Sequence, residues 1–192
     1  KAIRRQRQMC IRDRKMNTTN NKIHAELFCT DIQNKNTERI FEKLFETSIE
    51  ELLSDYDEYD EIDEEPIEIE DKGVMIGFLP ETSKEPAHIE YIDLDIKSNP
   101  GNMEYLSVTL PVSFDVQIET ALSSYKNLRI FYSLYDTEKP EVIVFHHENL
   151  RYELLVTEKL SISRIRVCRS ENESTVNMRT YYPFGEECEI LP

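Results

Sequence analysis

The sequence contains little glycine, and this alone excludes several kinds of site. Four glycines occur in 192 residues, at positions 73, 77, 101 and 185. Neither a GxGxxG loop nor a GxxxxGK[ST] loop can be built from them, so dinucleotide- and nucleotide-binding loops of these types are excluded. A GxSxG nucleophile elbow is also missing. No run of 18 apolar residues occurs, which excludes a transmembrane helix of ordinary length.

Cysteine is scarce and widely spaced. Once Cys10 is set aside with the N-terminal residues discussed below, the remaining cysteines are Cys29, Cys168 and Cys188. This odd-numbered set predicts neither a disulfide framework nor a CxxC metal site. The residues after Met16 lack the apolar stretch of a signal peptide. Together these features predict a protein of the reducing cytoplasm.

Basic residues are outnumbered by acidic ones. The chain has 23 Lys and Arg against 38 Asp and Glu, a net charge of −15. A surface of this sign disfavours direct binding to nucleic acid and docking on anionic membranes. It favours solubility and attraction to a basic protein partner, which we expect here. Oligomerisation is left open by the sequence.

Residues 1–15 differ in composition from everything that follows. They hold seven of the basic residues and one acid, so residues 16–192 carry a net charge of −21. The run RQRQMCIRDR within them resembles a translated sequencing-adapter read-through. We therefore predict that residues 1–15 are a non-native leader and that the folded protein begins near Met16.

The most distinctive stretch is Asp55–Glu65, DYDEYDEIDEE, in which eight of eleven residues are carboxylates. Repulsion among these charges predicts an acidic mobile loop over residues 55–71. Apolar groups recur within it every three residues, which suggests anchors for docking a basic partner. The candidate partner-binding residues are Tyr56, Asp57, Glu58, Tyr59, Asp60, Glu61 and Ile62. The alternative interpretation is a solvated linker, whereas an EF-hand is excluded because the glycine and the final glutamate are missing.

Hydrophobic periodicity predicts an α+β fold, predominantly antiparallel β, arranged as a sandwich or an open barrel-like sheet with one N-terminal amphipathic helix packed on it. Residues 16–54 are predicted to hold a strand at Lys22–Thr30, a helix capped by Asn36 or Thr37, and a short helical turn capped by Ser48 and Glu51.

Residues 72–184 are predicted to form the β-rich body of the same domain, followed by a loose tail at 185–192. Residues 88–112 suggest a hairpin, with a β-bulge near Tyr91. Residues 114–126 fit a strand or a helix, and the unbroken alternation favours a strand. The further strands are predicted at Val74–Phe78, Leu128–Asp136, Val142–His147, Leu150–Val156, Ser161–Cys168 and Thr175–Tyr182.

Two H-x-E pairs, His24 with Glu26 and His88 with Glu90, are the main candidate metal ligands in the sequence, and Asp93 with Asp95 is a further pair that could hold a divalent ion. Residues i and i+2 of a strand share a face, so two adjacent strands could hold four ligands together. The simpler interpretation is polar strand faces in solvent, and the same applies to Asp93 with Asp95. No cofactor is predicted.

Three functional hypotheses follow from these patterns. The leading one is a non-enzymatic interaction or structural module that docks a basic partner through the acidic, aromatic-containing loop. The second is an acidic inhibitor that mimics nucleic acid, and the third is a metal-dependent enzyme built on the H-x-E pairs.

Overall fold

The computed structural model describes residues 21–28, 30–54, 66–83, 85–114, 118–132 and 140–170. Its described strands form one antiparallel sheet of seven strands in the order β1-β2-β3-β7-β6-β5-β4. They are β1 (Ile67–Ile69), β2 (Val74–Leu79), β3 (His88–Asp95), β4 (Lys126–Tyr132), β5 (Pro140–His147), β6 (Leu150–Val156) and β7 (Ile162–Arg169). The predicted antiparallel, mostly β class is confirmed, with one open sheet in place of the two sheets of a sandwich.

The sheet is assembled from two meanders that meet at its centre. Strands β1 to β3 pair in chain order, as do β4 to β7. Strand β7 pairs with β3, which joins the two meanders into one sheet and puts β1 and β4 at its two edges. The connection between β3 and β4 therefore runs from the middle of the sheet to its far edge.

Short helices fill the connections. The longest helix among the described residues is α1 (Lys35–Phe45), followed by α2 (Ile49–Leu52) and α3 (Ile118–Ala121). The described chain also has 3-10 helices at Ala25–Phe28, Glu70–Lys72 and Pro100–Tyr105. The N-cap of α1 is Asn34, two residues before the predicted Asn36, and its side chain accepts a 2.8 Å hydrogen bond from the Asn36 amide. The predicted cap at Ser48 is confirmed, since its Oγ accepts a hydrogen bond from the Glu51 amide at 2.9 Å.

One face of the sheet carries the hydrophobic core and is called the core face here. It is formed by alternate strand residues such as Ile92, Ile165 and Tyr152, which are fully buried. The buried stripe of α1 belongs to the same cluster and consists of Phe41, Leu44 and Phe45. The Phe45 ring lies 5.3 Å from the ring of Tyr105, so the helix and the loop after β3 share this core.

The predicted bulge near Tyr91 is confirmed. Gly77 of β2 pairs with Tyr91 and the next residue, Phe78, pairs with Ile89, which leaves Glu90 as the extra residue of β3. The tyrosine ring covers the glycine so closely that a Cβ atom on Gly77 would overlap it. A glycine is therefore required opposite the bulge.

Two predicted strands are wrong. Residues 22–30 hold a 3-10 helix, in which the burial of Ile23 and Leu27 comes from a turn of the chain into the core. Leu106, Val108 and Leu110 are alternately buried as predicted, but they lie in a loop after the 3-10 helix that begins at Pro100. In the described part of that stretch, Ser113 alone forms a β-bridge, to Ser161. Alternate burial thus occurred without strand pairing.

The preference for a strand at residues 114–126 is also wrong where the structure describes it. Ile118–Ala121 forms α3, Leu122 is buried behind it, and β4 begins at Lys126. Within the predicted acidic loop, residues 67–72 form β1 and a 3-10 helix. The predicted leader, residues 55–65, the predicted strand at 175–182 and the tail at 185–192 lie outside the described residues.

Candidate functional site: a charged face of the sheet

The face opposite the core carries arginines from three strands and is called the arginine face. Cross-strand neighbours share a face, and the register places Asp93 beside Arg166, Arg166 beside Glu153, and Val144 between Glu153 and Arg129. Its charged members in the middle of the sheet are Arg129, Arg151, Arg164, Arg166, Asp93, Asp95 and Glu153. The same register adds Glu68 and Lys126 on the two edge strands.

Asp93 and Arg166 form the centre of the arginine face. Arg166 donates two hydrogen bonds to the two Asp93 carboxylate oxygens, at 2.7 and 2.8 Å. The Asp93 side chain is 2 % exposed and that of Arg166 is 20 % exposed. The guanidinium also lies 3.8 Å from the centre of the Tyr91 ring. This is a bidentate, partly desolvated ion pair with a cation–π contact, the geometry for which arginine is suited.

Arg166 stays positively charged in this arrangement. Burial opposes the charged form, but the hydrogen bonds and the charge of Asp93 outweigh it and raise the pKa of Arg166 above its usual value. Because both Asp93 oxygens accept from Arg166, the carboxylate is already occupied by a cation.

Glu153 is the most deeply buried acid of the face. Its side chain is 1 % exposed, and Arg151 Nη2 lies 2.6 Å from its Oε1. This contact is an ion pair, and neither Glu153 oxygen accepts a hydrogen bond from the described part of the chain. Burial raises the pKa of the Glu153 carboxyl, while the charges of Arg151 and Arg166 act in the opposite direction.

Apolar groups and a thiol lie between these charges. Val142 and Val144 are 5 % and 6 % exposed, yet they do not belong to the core cluster. Cys168 lies beside Arg151 in the register, and burial raises the pKa of its thiol to about 12. A thiol with that pKa is protonated near neutral pH, so it is not a nucleophile in this state.

Sequence reasoning placed Asp93 and Asp95 on a solvated strand face, and for Asp93 this expectation is wrong. The side chain is buried by pairing with a residue 73 positions away. A signal for this face was present in the alternation of Arg164 and Arg166 with Ile165 and Val167. It indicates a strand whose second face is basic.

The H-x-E residues do not assemble as the metal hypothesis requires. His24 precedes a 3-10 helix that contains Glu26, whereas His88 and Glu90 belong to β3. His88 Nδ1 lies 3.0 Å from the Pro86 carbonyl oxygen. Within residues 21–170, wherever the chain is described, no three His, Cys, Asp or Glu side chains lie close enough to hold a metal ion together.

A second charged region, called the acidic edge, flanks residues 55–65 on the described fold. It consists of Glu46, Glu50, Glu51, Glu68, Glu70 and Asp71, all of which are exposed. Lys72 Nζ donates to Glu46 Oε2 at 2.8 Å and so joins the end of α1 to the turn between β1 and β2. The hydrogen bond from Lys72 lowers the pKa of Glu46. The candidate residues 56–62 themselves lie outside the described residues.

A polar cavity of about 560 Å³ lies next to this region, between α1 and the 3-10 helix Pro100–Tyr105. Lysines and glutamates both line it, and Lys22 Nζ donates to the Glu104 carbonyl oxygen at 2.6 Å. Asn102, also in its wall, donates to the carbonyls of Lys72, Gly73 and Asp95 at 2.9 to 3.1 Å. These contacts give Asn102 a structural role, tying the loop after β3 to the turn before β2.

Comparison of the chain with protein-family models, curated proteins and solved structures gives no match. None of the described helices is long and apolar enough to cross a membrane.

Proposed function

We propose that this protein is a non-enzymatic interaction module that binds a basic protein partner through the acidic edge and the adjoining residues 55–65. The observation that supports this proposal is the continuation of the acidic sequence onto the described surface at both ends of that segment. Carboxylates extend over α2 on one side and over the β1 region on the other.

The acidic edge has more exposed acids than nearby bases. Lys72 pairs with Glu46, and Lys22 and Lys43 line the adjoining cavity with Glu46. Exposed like charges at short range repel each other and attract a cationic surface, which increases the rate of encounter. The region therefore has the electrostatic character of a docking surface for a basic partner.

The edge position of β1 adds a second favourable feature. This strand pairs with β2 on one side and lies at the end of the strand order. Residues 55–65, with Tyr56, Tyr59 and Ile62, lie in the sequence between α2 and this edge strand. Aromatic anchors within a charged surface are typical of binding hot spots.

The test is affinity capture with residues 16–192 as bait, followed by quantitative mass spectrometry and measurement of binding to each recovered partner. One variant carries Asp57→Asn, Glu58→Gln, Asp60→Asn and Glu61→Gln. Its matched control carries Glu81→Gln, Glu119→Gln, Glu141→Gln and Glu158→Gln, which removes the same charge at exposed positions elsewhere.

We expect the control to keep its basic partner and the segment variant to lose it, chiefly through a slower association rate. A variant with Tyr56→Ala and Tyr59→Ala should associate normally and dissociate faster. Equal loss in the segment variant and the control would show that net charge alone is responsible. Unchanged binding in all variants would show that residues 55–65 are only a linker.

A further inference from the structure

The polar cavity between α1 and the 3-10 helix Pro100–Tyr105 has the size of a small-molecule site. Its volume is about 560 Å³, and ligand pockets in proteins usually enclose about 300–1,000 Å³. Three stretches of the chain build its walls. They are the residues just before the first 3-10 helix, the C-terminal end of α1 and the loop after β3.

These walls are held together by contacts within the protein. The Ile23 amide donates to the Tyr105 carbonyl oxygen at 2.8 Å, which joins the first stretch to the third. The rings of Phe45 and Tyr105 lie 5.3 Å apart, which joins α1 to the same loop. Asn102 is 1 % exposed and ties that loop to the turn before β2. The cavity is therefore preformed, and a ligand loses little free energy in ordering it.

The cavity collects positive charge in a chain that is acidic elsewhere. Lys22 and Lys43 both belong to its lining. Among the described residues, Lys43 has no ion-pair partner, and Lys22 donates to the uncharged carbonyl oxygen of Glu104 at 2.6 Å. Because an ammonium group has three donors, both lysines keep hydrogen-bond donors for a ligand.

The two glutamates of the lining oppose an anion less than their number suggests. Glu46 accepts a hydrogen bond from Lys72 at 2.8 Å, so its charge is compensated locally. Glu104 is exposed, so solvent and salt screen its charge. With Lys72 counted, three lysines accompany two glutamates here, whereas the whole chain has 23 bases and 38 acids.

A neutral donor and apolar surface complete the lining. Burial raises the pKa of Tyr105, so its hydroxyl is protonated near neutral pH and keeps its O–H donor. Leu44 and the tyrosine ring supply apolar surface in the same walls. A ligand with both a charged group and an organic part matches this combination.

We propose that this cavity binds a small phosphorylated organic molecule, whose phosphate group is held by Lys22 and Lys43. A phosphate monoester carries about −1.5 to −2 charges near neutral pH and three strong acceptor oxygens, which suits two ammonium groups and a hydroxyl. A free phosphate ion would leave the apolar surface unused. The proposal does not depend on partner binding by residues 55–65, since the ligand is titrated into the protein alone.

The test is titration of the full-length protein with ribose 5-phosphate, inorganic phosphate and ribose at low salt, followed by amide NMR. The amides of Gly101 and Asn102 report on the cavity. One variant carries Lys43→Gln, and its matched control carries Lys159→Gln, at an exposed position between β6 and β7. A further variant, Glu46→Gln, removes an acid from the lining.

We expect saturable binding of ribose 5-phosphate, at least about threefold tighter than that of inorganic phosphate, and no binding of ribose. Lys43→Gln should weaken binding at least about tenfold, because a charge-assisted hydrogen bond is lost, while the control stays within about twofold of the parent protein. Glu46→Gln should tighten binding about threefold, because it removes a negative charge and releases Lys72. Damage to the fold would not produce such a gain.

Four results would overturn the proposal. The absence of saturable shifts with both phosphate probes would show that the cavity is not a phosphate site. Equal weakening by Lys43→Gln and Lys159→Gln would show that phosphate responds only to net charge. Inorganic phosphate binding as tightly as ribose 5-phosphate would show that the organic part is not recognised. Ribose binding as tightly as ribose 5-phosphate would show that the lysines hold no anion.

Discussion

At the scale of single residues, the fold depends on charges that are buried in pairs. Asp93 and Arg166 come from β3 and β7, the two strands that join the meanders. Their bidentate contact spans the one pairing that is not made between consecutive strands of a meander. Such a pair contributes less to net stability than to the choice of register, because any shift would leave a charge buried without its counterion.

Asp93→Asn should therefore be strongly destabilising. It removes the charge that neutralises Arg166 while keeping the shape, and breaking a buried pair of this kind costs about 3–5 kcal/mol. We expect the lower end of that range, because Arg166 keeps 20 % exposure. The measurement is urea unfolding.

The control for that substitution is Glu90→Gln, at an exposed position on the same strand, which should change stability by less than about 0.5 kcal/mol. Adding Arg166→Gln to Asp93→Asn should recover part of the loss. If the double variant is no more stable than Asp93→Asn alone, the pair is not the source of the cost.

Glu153 should make stability depend on pH. Burial raises the pKa of its carboxyl above the usual 4.5, so the folded state holds this proton more tightly than the unfolded state. The stabilisation linked to that proton is fully present below 4.5 and is lost as the pH rises through the higher folded value. Glu153→Gln removes this dependence, so it should gain stability relative to the parent protein as the pH rises across that interval.

Denaturant unfolding from pH 4 to 7 measures the difference between the two proteins. An exposed substitution, Glu158→Gln, should follow the parent curve throughout. A constant difference between Glu153→Gln and the parent protein would show that ionisation of Glu153 is not linked to folding.

At the scale of elements, patterns carried by consecutive residues were predictable, and long-range pairings were not. The strands β5, β6 and β7 were predicted within two residues at each end, because apolar alternation and short polar turns bound them. Leu106, Val108 and Leu110 show the limit of this reasoning. Alternation reports alternate burial, and a loop pressed onto a core produces the same pattern without strand pairing.

The candidate sites show the same limit more strongly. The partnership of Asp93 with Arg166 depends on the order of strands in the sheet, which no local pattern contains. The surroundings of Glu153 likewise come from other strands, since Val144 and Arg166 lie beside it in the register. The acidic run was visible at once because composition alone defines it.

The helix α1 offers a test at the same scale. Leu44 lies in the core cluster and is almost fully buried, so Leu44→Ala should cost about 2–4 kcal/mol by leaving a cavity. Arg39→Ala, on the exposed side of the same helix, is the control and should stay within about 0.5 kcal/mol. Similar small effects for both would show that the stripe of α1 does not support the sheet. Thermal or urea unfolding of the two variants decides this.

At the scale of the whole molecule, the clustered acidic charge that favours binding to a basic partner also lowers the stability of the free protein. The acidic edge and residues 55–65 concentrate like charges whose repulsion disfavours the compact state in the absence of a partner. The arginine face, by contrast, contains cations matched with carboxylates. Screening by salt should therefore relieve the first region more than it weakens the partly buried pairs of the second.

Added salt should accordingly stabilise the free protein. We expect the melting temperature to rise between about 10 and 150 mM NaCl, as the Debye length falls from roughly 30 to 8 Å. The variant neutralised at 57, 58, 60 and 61 should start from a higher melting temperature at low salt and show a smaller rise. The control neutralised at 81, 119, 141 and 158 should respond more like the parent protein, because those acids are dispersed along the chain.

If all three proteins respond equally, repulsion is spread over the whole surface, and the acidic edge has no special electrostatic role. If the melting temperature falls with salt in the parent protein, attraction between opposite charges, as on the arginine face, dominates its stability.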